Sequence, residues 1–269
     1  MKLIGVVGAF GQLGSSLMKL LGKNGVAIGR NSKTFPSIHS VIWAAGSVTS
    51  RCTENEADKE FQEIKESLLK LDFKSLTSLT LISSGGSIYG NTSSTPKFES
   101  DALEPIGPYG KLKVRLEKTF EQFCTDRGVK LQILRLANVF SSQGKGIIPT
   151  LLSQKTSNQS LNLLVNPESR KQYGHSDDYA SLILQYMSDL NLDVSPSVFN
   201  LFSPNSYSLH EIFNLFAQFQ EVHILDRSAQ NTLPLDTVEL STLHPRLLRS
   251  YNWTTLEEFL KLHYEGVKK

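Results

Sequence analysis

Tyr109 and Lys113 stand four residues apart in Tyr109-Gly110-Lys111-Leu112-Lys113, a spacing that puts both side chains on one face of a helix. A phenol with an ordinary pKa of about 10 is a poor acid–base group at neutral pH. An ammonium beside it favours the phenolate, and lowering a phenol by about 3 units takes about 4 kcal/mol, attainable where the pair is desolvated. Such a tyrosine can give a proton to, or take one from, the oxygen of a carbonyl–carbinol couple. Alone, the pair is a common accident of helical surfaces; a second constellation near the start of the chain makes it a candidate catalytic centre.

There, Gly8-Ala9-Phe10-Gly11-Gln12-Leu13-Gly14 joins an apolar strand pattern to an amphipathic helix pattern. The first glycine permits a tight turn, and the lack of side chains lets the backbone approach a pyrophosphate. The helix N-terminus adds unpaired N–H groups and the positive end of a dipole. Gly8, Phe10, Gly11, Gln12, Leu13 and Gly14 are therefore expected to bind a dinucleotide. An NAD site wants Asp or Glu at the end of the second strand, to hold the ribose hydroxyls. That position is Gly29, followed by Arg30-Asn31-Ser32-Lys33. A missing carboxylate and two cations suit a 2′-phosphate, so NADP is favoured over NAD, with Arg30 and Asn31 as contacts. The alternative is that Arg30 and Lys33 are ordinary solvated loop charges.

The elements that must position these groups are short apolar strands alternating with amphipathic helices. Strands are expected at 3–7, 26–28, 41–45, 79–82 and 131–136. Between them, Leu13, Leu17, Leu20 and Leu21 stripe one helix. Phe61, Ile64, Leu68 and Leu71 stripe a second over 58–72, and Leu112, Leu116, Phe120 and Phe123 a third over about 109–127. This alternation implies an α/β fold, a Rossmann-type doubly wound parallel sheet with right-handed crossovers. About a dozen residues separate the second strand from Val41, too few for a full helix–strand–helix crossover. The sheet should thus be shortened in its first half, and the dinucleotide should bind more weakly and exchange more readily. Beyond Gly144 strands become sparse. Residues 1–144 read as an NAD(P)-binding domain and 145–269 as a small C-terminal substrate-binding region, with about 176–202 packing back onto the first.

Composition narrows the classes. The 269 residues are 39% hydrophobic and 20% charged, which excludes a disordered chain. No apolar run approaches the ~20 residues of a membrane helix, and the glycine-broken start reads as a buried strand rather than a signal peptide. The 28 basic and 26 acidic residues, net +2, leave no basic stripe for nucleic acid. Cys52 and Cys124 form neither a disulfide framework nor a metal-ligand spacing, and the six histidines show no metal spacing either. A reducing cytoplasm fits that usage, and no metal is expected.

Further stretches extend the pattern: Ser83-Ser84-Gly85-Gly86-Ser87-Ile88-Tyr89-Gly90, Leu134-Arg135-Leu136-Ala137-Asn138-Val139-Phe140, Tyr173-Gly174-His175-Ser176-Asp177-Asp178 and Tyr251-Asn252-Trp253-Thr254-Thr255-Leu256-Glu257-Glu258. With the glycine turn and the Tyr–Lys pair, they resemble the extended short-chain dehydrogenase/reductase family, in its nucleotide-sugar epimerase/dehydratase branch. The likeness runs the length of the chain and thins between about Gly29 and Asp72. It implies that Tyr109 is the acid–base group and that Lys113 also binds the nicotinamide ribose. It further implies that the Ala44-Ala45-Gly46 turn passes beside the cofactor and that Asn138 touches the substrate diphosphate. Lys171 falls where the family has a diphosphate-binding arginine, with Arg170 beside it able to do the same work; lysine offers a point charge rather than a fork. His175 reads as a hydrogen-bonded structural histidine. The resemblance also implies a homodimer through helices at about 56–72 and 109–127.

Departures from the family pattern sharpen the expected reaction. The family's catalytic Ser or Thr, four before the tyrosine of its "VYG", falls on Gly85, which has no hydroxyl. Ser84 or Ser87 could supply one, with Ser87 ranked ahead. The Asp-Glu pair of the family's dehydratases is replaced by Gly86 and Ser87, so dehydration is not expected. A 4-epimerase must keep its dinucleotide through both hydride transfers, whereas a reductase must release it each turnover. Weak retention favours hydride transfer to a 4-keto-6-deoxyhexose nucleotide, with Tyr109 protonating the new hydroxyl. In the family such products feed polysaccharide biosynthesis. A nucleotide-sugar 4-epimerase using the same residues is the alternative, and a dinucleotide-binding regulator without turnover is a further one.

Overall fold

Ile4–Val7 (β1) opens a computed structural model that describes residues 3–29, 38–71, 75–90, 95–157, 161, 166–189, 197–224 and 237–266. Arg30 and Asn31, expected to contact the cofactor, lie outside the described residues, as do Ser32 and Lys33. After β1 come α1 (Gln12–Leu21), β2 (Gly25–Ile28), β3 (Ser40–Trp43), α2 (Glu54–Leu68), β4 (Ser78–Ser84), α3 (Gly107–Thr125) and β5 (Lys130–Leu136). The remainder is β6 (Asn138–Phe140), α4 (Ile147–Ser157), β7 (Arg170–His175), α5 (Ser176–Asp189), β8 (Ser197–Leu201), β9 (Ser206–Ser208), α6 (Leu209–Ala217), α7 (Arg246–Arg249) and α8 (Leu256–Glu265).

The main sheet has the order β2-β1-β3-β4-β5-β8, with every neighbouring pair parallel. Side chains alternate between its faces, as the period of a strand requires. Val7, Val41, Trp43 and Ile133 enter one core with Ile64, Leu68, Leu112, Leu116 and Phe120 of α2 and α3. Val6, Ile42 and Leu134 enter the other with Leu13 and Leu17 of α1 and with Tyr179, Leu182 and Ile183 of α5. Helices on both faces are why the strand sequences are near-continuous apolar runs. This is the doubly wound α/β architecture that the alternation implied.

The chain turns from β1 to β2 on one side and reaches β3 on the other, so the strand order reverses between β1 and β3. Ligands of open α/β sheets bind at such a switch point, outside the carboxyl ends of the strands. Among the described residues β2 pairs with β1 alone. Residues 29–39 are all that separate it from β3.

Several boundaries differ from the sequence reading: β3 ends at Trp43 rather than residue 45, α2 ends at Leu68 rather than 72, and α3 runs two residues earlier than expected. α2 begins at Glu54, a turn before residue 58, because Thr53 and Glu56 form a reciprocal cap. The Thr53 side chain accepts from the Glu56 N–H at 3.3 Å, and the Glu56 carboxylate accepts from the Thr53 N–H at 2.8 Å. A second, three-stranded sheet, β6-β7-β9, packs with α4, α6 and α8 around Phe140, Ile148, Tyr173, Phe213, Phe216 and Leu260. Among the described residues no helix is long and apolar enough to cross a membrane.

Candidate active site

The glycine turn closes on itself by a hydrogen bond from Gly11 N–H to Gly8 O at 2.9 Å. Gly8 has φ +88°, a backbone conformation that side chains disfavour. A Cβ there would stand 2.7 Å from Ala45 N and 2.9 Å from Ala44 C. A Cβ on Gly14 would strike Gly8 O and lie 2.7 Å from Gly8 C. Gly8 therefore lets the turn after β1 meet the Ala44-Ala45-Gly46 turn after β3, and Gly14 lets α1 sit tightly against β1. The N-cap of α1 is Gly11, with no side-chain cap and no acidic residue in the first turn. That helix end presents its N–H groups unopposed to the cleft, as a diphosphate requires. Phe10, Gly11, Gln12 and Leu13 line the cleft together with Ala44, Ala45 and Gly46.

The cleft encloses about 1290 Å³ along the carboxyl ends of β1, β3, β4 and β5. Its far wall holds Ser84, Gly86, Ser87, Tyr109 and Lys113. Tyr109 and Lys113 are both half-buried, and the Lys113 ammonium lies 5.5 Å from the centre of the Tyr109 ring. The structure thus brings the two groups singled out by spacing to the same cleft as the glycine turn.

A residue between them makes this possible. A Cβ on Gly110 would collide with Ser87 O and lie 3.3 Å from Pro105 Cβ. Only a bare backbone lets the first turn of α3 lie against the serine loop, whose Ser87 O also accepts from the Ile106 N–H at 3.2 Å. A glycine inside a helical pattern is the available signal of such an approach, but its partner could not be read from sequence. Ser84 and Ser87 carry no side-chain hydrogen bond among the described residues. Gly85 is hemmed in by Leu240, whose Cδ2 would lie 3.0 Å from a Cβ at that position.

Behind this wall lies a buried polar network that sequence reasoning missed. Arg135 of β5 and Glu117 of α3, 7% and 6% exposed, pair at 2.8 Å. Ser83 donates to Glu117. Arg135 donates to the Tyr89 hydroxyl at 2.6 Å, and that hydroxyl donates to Asn200 of β8 at 2.9 Å. Burial raises the Tyr89 phenol although the Arg135 charge draws it down. Burial alone would lower Arg135, but Glu117 and Tyr89 outweigh it and hold the guanidinium charged. Glu117 lies one helical turn beyond Lys113, so the network fixes the helix face that carries the Tyr–Lys pair.

At the other end of the cleft, Asn138 and Lys171 line the wall, and Asn138 donates to Gln172 O at 3.1 Å. The structure does not bring Arg170 there. Its side chain pairs with Glu211 and donates to Ser206 O, because Arg170 and Lys171, adjacent in a strand, project to opposite faces. His175 borders the cleft between Phe140 and Phe259, each 5.3 Å away centre to centre. Its Nδ1 accepts from the Asp177 N–H at 3.3 Å. Burial lowers the imidazole pKa, with Lys19 acting in the same sense and Asp177 and Asp178 opposing. Among the described residues no group of three His, Cys, Asp or Glu could hold a metal ion.

The sequence pattern of the NAD dependent epimerase/dehydratase family matches residues 37–201. The chain belongs to that family. The matched stretch begins after the glycine turn, so that turn is an observation separate from the family match. Among family relatives, the chain is 30% identical over 135 residues to the dTDP-4-dehydro-6-deoxyglucose reductase of Escherichia coli, covering 48% of this chain and 42% of that protein. It is 24% identical over 157 residues to a putative UDP-glucose 4-epimerase of Methanocaldococcus jannaschii, 56% of this chain and 49% of that one. The chain spans about half the length of the curated relatives it matches. Its fold is that of solved epimerase/dehydratase-type structures. The Thermotoga maritima UDP-glucose 4-epimerase with UDP-glucose superposes with a TM-score of 0.78 at 20% identity, over 98% of both chains. The Bacillus cereus UDP-glucuronic acid 4-epimerase with UDP-glucuronic acid and NAD does so with a TM-score of 0.78 at 16% identity, again over 98% of both.

Proposed function

We propose that this chain is an NAD(P)-dependent oxidoreductase that reduces a 4-keto-6-deoxyhexose nucleotide to the corresponding alcohol. The observation that carries the reading is the Tyr109–Lys113 pair set in one cleft with an uncapped glycine-turn helix. The family membership and the reductase among the chain's relatives support it. Gly8, Gly11 and Gly14 with the N-terminus of α1 would hold the diphosphate of a dinucleotide, and Ala44–Gly46 would run alongside it. NADP is the preferred form, because Gly29 stands where a ribose-binding carboxylate would be. A bound nicotinamide would supply the hydride that reduces the carbonyl carbon.

The protein's own groups do the rest. Tyr109 delivers its phenolic proton to the carbonyl oxygen as that oxygen gains charge. Lys113 stabilises the phenolate left behind through its charge. Ser87 or Ser84 donates a hydrogen bond to the same oxygen. Asn138 and Lys171 orient the substrate diphosphate, and Arg170, held by Glu211, takes no part. The reading includes a cytoplasmic homodimer across α2 and α3.

The deciding experiment follows the nicotinamide absorbance of NADPH mixed with the protein and a nucleotide-linked 4-keto-6-deoxyhexose. Loss of absorbance equal to substrate consumed is the expected result. Interconversion of 4-hydroxy epimers with no net NADPH loss would assign a 4-epimerase instead. Dinucleotide binding with no response to any sugar nucleotide would leave a regulator.

A further inference from the structure

We infer that Leu240 is a specificity-determining residue of the sugar site. It fills the space beside Gly85 in which a hydroxyl-bearing side chain would stand, and so fits that wall to a carbon carrying no hydroxyl. The inference rests on the nucleotide-sugar reading above. A Cβ on Gly85 would lie 3.0 Å from Leu240 Cδ2, 3.2 Å from Cγ and closer still to Cδ1. A flexible side chain could swing away from such a contact, but this one is pinned. Leu240 is 2% exposed and packs on Ile88, Tyr89 and Val238. The amide of Gln172 clasps its backbone, donating to Leu240 O at 3.2 Å and accepting from the Leu240 N–H at 2.8 Å. On the other side, Lys97 N–H donates to Glu239 O and Ser241 N–H to Lys97 O, each at 2.8 Å.

Leu240 and Val238 both line the cleft that holds Ser84, Ser87 and Tyr109. A hydroxyl pressed against that hydrocarbon would lose its water and find no partner, whereas a methyl group would gain from burial. Discrimination of this kind is worth about tenfold to a hundredfold. With Ser84 or Ser87 bonding the reacting oxygen, the neighbouring hydrocarbon of Leu240 and Val238 meets the substituent of the next ring carbon. It therefore selects the methyl of a 6-deoxyhexose over the hydroxymethyl of a hexose. With position 85 filled by Leu240, the hydrogen bond to the reacting oxygen falls to Ser84 or Ser87.

Equilibrium titration calorimetry tests this without turnover. NADP⁺ is present throughout, and the paired probes are the thymidine- and uridine-diphosphate forms of 6-deoxyglucose and of glucose. The wild-type chain is expected to bind the 6-deoxy member at least about tenfold more tightly. Leu240→Asn should bring the pair within about threefold, and Leu240→Met should keep the preference. If Leu240→Asn does not give a cooperative thermal melt, Leu240→Thr replaces it with the same expectation. Equal binding by the wild-type chain, or an unchanged ratio in the polar variant, overturns the inference. If NADP⁺ binds but neither sugar nucleotide does, the nucleotide-sugar reading itself fails, and this assignment falls with it.

Discussion

At the scale of single residues, the proposed chemistry depends on one proton, the phenolic hydrogen of Tyr109. Removing that hydroxyl leaves the ring, its contact with Lys113 and the first turn of α3 in place. Tyr109→Phe should therefore lower kcat by about 10²–10⁴-fold, the usual worth of a positioned acid, while dinucleotide affinity measured by fluorescence stays as it was. Retention of full activity would assign the proton to another group. Tyr109 and Lys113 were legible in sequence because a four-residue spacing is local, and the turn at 8–14 for the same reason. Gly110 against Ser87, and Leu240 against Gly85, join segments far apart in the chain, and no local pattern encodes them. Arg170 and Lys171 show a second limit. As adjacent residues they looked interchangeable, but strand geometry sends only Lys171 to the cleft.

At the scale of elements, the Glu117–Arg135 pair ties α3 to β5, and through Ser83, Tyr89 and Asn200 it reaches β4 and β8. Glu117→Ala would leave the Arg135 guanidinium buried without its counter-charge, which costs about 3–5 kcal/mol. Urea unfolding should show a loss of that size. A loss below about 1 kcal/mol would mean that water reaches the arginine and that the pair is not a structural tie. The strands of the main sheet were readable because burial on both faces makes them continuous apolar runs. The pieces β6 and β9, three residues each, are too short to show a period. α6 and α8 did carry a signal: Ser208 with Glu211 and Thr255 with Glu258 form capping boxes of the Ser/Thr-x-x-Glu kind, a pattern that marks helix starts.

At the scale of the whole molecule, His175 sits where β7 of the small sheet runs directly into α5 of the main one. Burial holds its imidazole pKa below 6.5 in the folded state. Above about pH 6.5 it is neutral whether folded or unfolded, and its contribution is fully present. As the pH falls through that value, the unfolded chain takes up a proton that the folded one resists, so stability declines toward pH 5. Asp177, also lowered, with burial opposed by Ser16 and Lys19, loses its contribution as the pH falls through and below the ordinary carboxylate value, outside this window. His175→Phe, which keeps a ring between Phe140 and Phe259, should flatten the slope of unfolding free energy between pH 7 and 5. An unchanged slope would place the titration elsewhere. The main sheet itself leads to the final expectation. Its cofactor side ends at β2 among the described residues, and the short span of residues 29–39 leaves little chain to enclose an adenosine. Fewer contacts mean faster release, since affinity differences reside mostly in the off-rate. NADP(H) should therefore separate from the protein during gel filtration, leaving no nicotinamide absorbance in the protein peak. Rebinding should be measurable by fluorescence with a dissociation constant in the micromolar range, about −8 kcal/mol. Such release fits an enzyme that must exchange its cofactor at each turnover. Stoichiometric dinucleotide carried through purification would show that the shortened side still grips adenosine, and would turn the reading toward a 4-epimerase.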